Sequence, residues 1–154
     1  MKYLPVFLLL AACGGYGSSL PGTDHDIYIV AVVGQPYGTI GYTSWGPSGP
    51  ATVQVSDDVM ATNENLVNAI LMHELVHACT RTSTHETDSS CYTYENGLPF
   101  PYVHPPCPEE ITKMQMTTGT FTIHASVPWL LDNVAWAAAE WSAWAQRTMF
   151  VVNP

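Results

Sequence analysis

The spacing of apolar residues changes along the chain and predicts two strands followed by a helix. The β-branched run DIYIVAVV, residues 26–33, predicts a buried strand, and the alternation in ATVQVSDDV, residues 51–59, predicts a strand with one face in water. In TNENLVNAILMHELVHAC, residues 62–79, apolar residues recur three and four positions apart. This spacing predicts an amphipathic helix.

The second half of the chain predicts a short helix followed by a strand, a long helix and a last strand. In residues 106–119 a proline and two glutamates suit the first turn of a helix. Residues 120–126 are rich in residues that favour strands, and residues 149–152 form a short apolar run that predicts the last strand. Residues 127–147 contain many alanines and tryptophans at helical spacing, which predicts the long helix. We find no repeats and expect one α+β domain over residues 24–154.

The N-terminus has the layout of an export signal. Lys2 precedes a short apolar run, so we predict a signal peptide over residues 1–12. Small residues directly before Cys13 resemble a bacterial lipoprotein signal, in which the cysteine becomes the acylated N-terminus. Residues 13–23 are rich in glycine and serine and would form a flexible tether. Gly14 after the cysteine favours an outer-membrane lipoprotein.

Charge and cysteine content limit the partners and the cross-links. The formal net charge is −9, with four basic and thirteen acidic residues. A surface this acidic repels phosphate backbones, so we exclude nucleic acid and expect a monomer that touches the membrane through its lipid anchor only. In an oxidising envelope we expect one disulfide, with Cys91–Cys107 preferred because these residues flank a proline-rich loop. Cys79–Cys91 is the alternative pair.

The segment HELVH predicts a metal site. His73 and His77 are four residues apart, so both imidazoles lie on one helical face and can bind one Zn²⁺. Glu74 lies one step round the helix and can act as the general base on a water that the metal activates. We therefore predict one catalytic zinc ion, with His73 and His77 as ligands.

This order of elements resembles the metzincin metalloproteases, including their small matrixin-like bacterial members. A strand, a glycine-rich link, a second strand and a helix bearing HELVH carry the resemblance, together with PCPEEITKMQ, which is similar to the short helix after the active site. The resemblance covers residues 26–115. It implies a zincin-like twisted mixed sheet with an active-site helix, and a zinc-dependent endopeptidase acting on peptides or proteins. We expect the substrate to lie extended along an edge strand near residues 52–57.

The third zinc ligand departs from the family pattern. Thr80 and Ser83 stand where the family has a glycine that ends the helix and a third histidine. Threonine adopts the left-handed conformation poorly, so we expect the helix to end later and the ligand to slip by two residues to His85. Asp88 and Glu86 are the carboxylate alternatives, and one of them would otherwise orient an imidazole ring.

Other departures keep further functions open. The family's methionine turn is replaced by SSCYTY, in which Cys91 or Tyr92 would form the floor of the site and Tyr92 or Tyr94 would stabilise the oxyanion. A gluzincin-type peptidase would instead use a glutamate as third ligand, with Glu140 preferred over Glu95. A third alternative is an envelope lipoprotein that binds zinc without catalysis.

The C-terminal strand–helix–strand pattern resembles the unit with which the metzincin domain normally opens. That unit is absent before residue 26. We therefore predict a circular permutation, which is physically inexpensive because core packing depends on which elements meet and domain termini often lie close together. The strand at 149–152 should then share a sheet with residues 27–33, with the long helix backing the zinc helix. The alternative is a C-terminal extension on the surface.

Overall fold

The computed structural model describes residues 20–33, 41–57, 64–83, 94–95, 98–99 and 106–154. In these ranges the chain forms, in order, β1 (Asp26–Val32), β2 (Gly41–Trp45), β3 (Ala51–Ser56), α1 (Glu64–Thr80), β4 (Tyr94–Glu95), β5 (Leu98–Pro99), α2 (Pro108–Met116), β6 (Phe121–Ala125), a 3₁₀ turn (Pro128–Leu130), α3 (Leu131–Ala145) and β7 (Phe150–Asn153). None of these helices is long and apolar enough to cross a bilayer.

Five strands form one mixed sheet in the order β2–β3–β1–β6–β7. β1 lies at the centre and runs parallel to both β3 and β6, and β7 runs parallel to β6. β2 is the outer strand at one end and pairs antiparallel with β3. Strands β4 and β5 form a separate two-stranded ladder. The predicted α+β domain with a mixed sheet is therefore confirmed.

The helices share one hydrophobic core with the sheet. α1 packs against β2 and β3, α3 packs against α1 and β7, and α2 packs against α1 and α3. Ile27 and Ile29 on β1 are both 0% exposed, because alternate residues of a strand point to the same face. The buried Trp141 on α3 donates its indole N–H to the carbonyl of Met72 on α1 at 2.9 Å. This bond fixes α3 against α1.

Two sequence expectations about burial are wrong. β3 was expected to be an edge strand with one wet face, yet it lies between β1 and β2 and all six of its residues are buried. The polar residues of β3, Thr52, Gln54 and Ser56, are buried by packing that the alternation along the chain does not reveal. α1 was expected to be amphipathic, yet the successive residues Leu75, Val76, His77 and Ala78 are all buried. It lies between the sheet and α3.

The C-terminal segments form a strand–helix–strand unit within the same sheet. β6 pairs parallel with β7 in a register that places Phe121 beside Phe150, and α3 connects the two strands. The same β6 pairs with β1 on its other side. The expectation that the last strand shares the sheet of residues 27–33 is confirmed, and a separate surface extension is excluded.

A polar cluster marks the sheet face opposite the hydrophobic core. Asp26 Oδ1 lies 2.8 Å from His124 Nε2, and the His124 ring stacks on Tyr28 with 4.4 Å between ring centroids. The hydrogen bond to His124 lowers the pKa of Asp26 below its ordinary value. This cluster joins β1 to β6 across the centre of the sheet.

Candidate metal centre

His73 and His77 turn the same ring nitrogen toward each other. Their Nε2 atoms are 3.1 Å apart, and the two rings are nearly perpendicular, at 87°. Two nitrogens that each lie about 2.0–2.1 Å from a tetrahedral zinc ion are about 3.3 Å apart. The separation on α1 therefore fits a pair of imidazoles that hold one metal ion between them.

The far nitrogen of His77 has a backbone acceptor. Nδ1 lies 2.6 Å from the carbonyl oxygen of Thr82, which can only accept, so Nδ1 carries the proton. Nε2 then carries the lone pair, which can accept the N–H of His73 Nε2 at 3.1 Å or bind a metal. The contact with Thr82 thus selects the tautomer of His77 that can bind a metal through Nε2.

The turn that presents Thr82 explains how α1 ends without glycine. The helix continues through Thr80, and Arg81 adopts the left-handed conformation with φ of 54°. Its amide donates to the carbonyl of His77 at 2.9 Å, and its guanidinium donates to the carbonyl of Asp24 at 2.7 Å. As expected, Thr80 stays helical and the chain turns later, at Arg81. The contact between Arg81 and Asp24 holds this turn in place.

The far nitrogen of His73 faces a buried carboxylate. Nδ1 lies 3.9 Å from Oε2 of Glu110, which stands in the first turn of α2 and is 6% exposed. The other carboxylate oxygen accepts the backbone N–H of Cys107 at 3.3 Å. The sequence pattern predicted only that Glu110 favours the start of a helix. Its contact with His73 joins residues 37 positions apart, and no local sequence pattern indicates such a contact.

Glu74 is buried between α1 and β2. It is 7% exposed, and burial raises the pKa of its carboxyl group to about 7, while a hydrogen bond from Thr43 acts in the opposite direction. The Thr43 hydroxyl lies 2.5 Å from Oε2 of Glu74. A Cβ added at Gly41 would lie 3.0 Å from Oε1 of Glu74, so glycine lets β2 approach the helix here. Sequence analysis missed Thr43, which has no motif.

The described side chains do not supply a third candidate ligand beside His73 and His77. No group of three or more His, Cys, Asp or Glu side chains in the described ranges is placed to hold a metal. Glu140, the gluzincin-type candidate, is half-buried on α3 and does not form such a group with His73 and His77. The remaining candidate ligands lie outside the described residues: His85, Glu86 and Asp88.

Several other predicted residues also fall outside what the structure describes. Cys13, Cys91 and Tyr92 are outside the described ranges, and only the backbone of Tyr94 and Glu95 is described, in β4. Cys107 is buried at the residue before α2, and Cys79 is buried in α1, where burial raises the pKa of its thiol. Both disulfide pairings remain predictions, because each involves Cys91.

Comparisons with known proteins add no family to this geometry. No protein-family model, no curated protein and no solved structure matches the chain. The functional interpretation therefore depends on the residues of the site.

Proposed function

We propose that this chain is a zinc-dependent endopeptidase of the bacterial cell envelope. The observation that carries the proposal is the meeting of His73 Nε2 and His77 Nε2 at 3.1 Å on a helix that also carries the buried Glu74, the residue after His73. Two imidazoles and a carboxylate at these positions match the donor set and the base that metal-assisted hydrolysis needs. Purely structural zinc sites have no use for a buried base beside the ligands.

The role of Glu74 follows from its surroundings. When bound, zinc would polarise the scissile carbonyl and make a water molecule more acidic. Glu74 would accept the proton of that water and return it to the leaving amine. Thr43 engages Oε2, which leaves Oε1 to handle the proton. A carboxyl pKa near 7 suits a group that takes up and releases a proton close to neutral pH.

For the third zinc ligand we favour His85, with Asp88 and Glu86 as alternatives. The left-handed turn at Arg81 supports this, because it brings Thr82 to His77, and residue 85 follows a few positions later in the sequence. A gluzincin-type site would use Glu140 instead. The metal affinities of His85→Ala and Glu140→Ala distinguish the two arrangements, since the variant that has lost the ligand should bind zinc much more weakly than the other.

The substrate would bind as an extended peptide along β2. This outer strand carries Thr43, which contacts Glu74, so the sheet edge and the base lie side by side. Main-chain hydrogen bonds to an edge strand hold a peptide in a fixed register. β2 therefore replaces the interior strand β3 as the proposed binding edge.

The fold relationship that we propose is to a circularly permuted metzincin-like domain. The β6–α3–β7 unit supports it, because it joins the sheet beside β1 and places the long helix against α1. Under this proposal the opening unit of the family domain has moved to the end of the chain without changing which elements pack together.

Cys13 would anchor the enzyme in the outer membrane as a lipidated N-terminus. The acidic composition supports a protein that contacts membrane through the lipid alone and does not bind nucleic acid. Replacement of Cys13 by serine should abolish incorporation of labelled palmitate and release the protein from the membrane fraction.

The decisive experiment measures zinc content and peptide cleavage on the full chain. We expect His73→Ala and His77→Ala to lose zinc. Glu74→Gln should keep zinc and lose at least about 100-fold in cleavage rate. Glu109→Gln, an exposed glutamate on α2, serves as the control and should match wild type in both. Zinc binding without cleavage by the wild type would indicate the non-catalytic lipoprotein, and absence of zinc would refute the proposal.

A further inference from the structure

Glu110 is a carboxylate buried at a helix start with its two oxygens aimed in different directions. Oε1 accepts the N–H of Cys107 at 3.3 Å and so closes the first turn of α2. Oε2 lies 3.9 Å from Nδ1 of His73 on α1. Taking a carboxylate out of water is costly unless polar or charged partners compensate it, and Cys107 and His73 are two such partners.

Each histidine of α1 has an oxygen facing its far nitrogen, at 2.6 Å for His77 and at 3.9 Å for His73. His77 directs Nδ1 at the carbonyl of Thr82, and His73 directs Nδ1 at the carboxylate of Glu110. In both cases an acceptor faces Nδ1 while Nε2 points to the other histidine. When Nε2 binds a metal, the ring proton resides on Nδ1, where a hydrogen-bond acceptor or a negative charge stabilises it and makes the imidazole a stronger donor.

We propose that Glu110 is a positioning residue for the metal ligand His73. This inference rests on the proposed zinc site. At 3.9 Å the carboxylate acts mainly through its charge, which stabilises the proton on Nδ1 and the positive charge that the ring acquires when it binds a metal. α2 thus has a direct role at the metal centre, since it delivers Glu110 to the zinc-motif helix.

A carboxylate presents one oxygen to each of two groups, and an amide cannot replace it. Oε1 accepts the N–H of Cys107 and Oε2 places negative charge near His73 Nδ1, whereas a glutamine has one acceptor oxygen and no charge. If that oxygen stays with Cys107, the amide N–H₂ faces Nδ1 and favours the tautomer with the proton on Nε2. Glu110→Gln therefore keeps size and shape but disturbs the orientation of His73.

The test compares zinc affinity and metal-free stability in matched variants of the full chain. Zinc affinity is measured by competition with a chromophoric chelator, and stability by urea unfolding in the presence of EDTA. We expect Glu110→Gln to weaken zinc binding about 10- to 100-fold, the range found for partners of metal-bound histidines. Glu109→Gln, on the neighbouring exposed position, should bind zinc within twofold of wild type.

A second variant guards against loss of folding. Glu110→Met fills a similar volume without charge and with only a weakly accepting sulfur, and it should weaken zinc binding at least as much as Glu110→Gln. If either variant is folded and binds zinc within twofold of wild type, while only its stability falls, then Glu110 is a helix cap and the inference is wrong. If the wild type binds no zinc, the proposed function has failed before Glu110 is tested, so the two failures are distinguishable.

Discussion

The hydroxyl of Thr43 on β2 lies 2.5 Å from the carboxylate of Glu74 on α1. A hydrogen bond donated to a carboxylate stabilises its charged form, whereas the burial of Glu74 destabilises it. The pKa of about 7 is the result of these opposing effects, with burial the larger. The edge strand therefore helps to set the proton affinity of the proposed base.

Thr43→Val should shift the pH dependence of peptide cleavage. Valine keeps the shape of threonine but removes the donor, so the pKa of Glu74 rises further and the carboxylate form becomes available only at higher pH. The rising limb of the profile of kcat/KM against pH should move up by about one unit. Thr43→Ser, which retains the hydroxyl, should keep the wild-type limb; identical limbs in all three proteins would contradict this role.

Gly41→Ala should damage both stability and activity. The new Cβ would lie 2.6 Å from Cγ2 of Ile70 and 3.0 Å from Oε1 of Glu74, so β2 must move away from α1. We expect a loss of about 1–3 kcal/mol in the free energy of unfolding, the usual cost of overpacking, together with slower cleavage.

Gly49→Ala provides the comparison for Gly41→Ala. Gly49 has φ of 91° and open space around it, so alanine strains the backbone without touching the site. It should lose stability on the order of 1 kcal/mol and keep full cleavage activity. Equal activity losses in the two variants would show that the close approach of β2 has no special importance.

The stability of the metal-free protein should fall with rising pH because of Glu74. Its folded pKa of about 7 exceeds the ordinary value of 4.5, so its contribution is fully present below about pH 4.5 and is lost as pH rises through 7. Urea unfolding in EDTA should show wild type losing on the order of 3 kcal/mol relative to Glu74→Gln between pH 5 and 8. Parallel stability curves would rule out a buried carboxylate with a raised pKa.

Asp26 should show the opposite pH dependence. His124 lowers the pKa of Asp26, so the pair stabilises the fold above the ordinary pKa of 3.8 and the stabilisation is lost as pH falls through the lowered value. Asp26→Asn should cost about 1 kcal/mol at pH 7, with the difference from wild type shrinking in strong acid. A double-mutant cycle with His124→Gln should give a coupling energy near zero at low pH.

The sequence predicts the parts of this protein that depend on local geometry. His73, Glu74 and His77 lie within five positions on one helix, so their relative placement follows from helical periodicity. The order of strands and helices also follows from changes in hydrophobic period. Placement of the C-terminal strand in the main sheet was predicted from packing logic and the resemblance together.

Features that depend on distant contacts could not be predicted in this way. Thr43 stands 31 positions before Glu74, the residue it contacts. Glu110 stands 37 positions after His73, the residue it faces. Neither residue stands in a pattern that shows which helix it will touch. β3 was misjudged because the polar residues among its valines suggested solvent, whereas its position between two other strands buries them.

The proposed metal centre brings together three segments that lie far apart in the chain. The two imidazoles can approach each other in a helix that has not yet docked, but Glu110 and the edge strand with Thr43 reach them only when the domain has closed. The unfolded chain lacks these contacts and would bind zinc weakly. Any zinc that does bind the unfolded state reduces the stabilisation that the metal gives to the folded state. For an exported protein, productive metal loading would therefore follow folding in the envelope, after transport across the inner membrane.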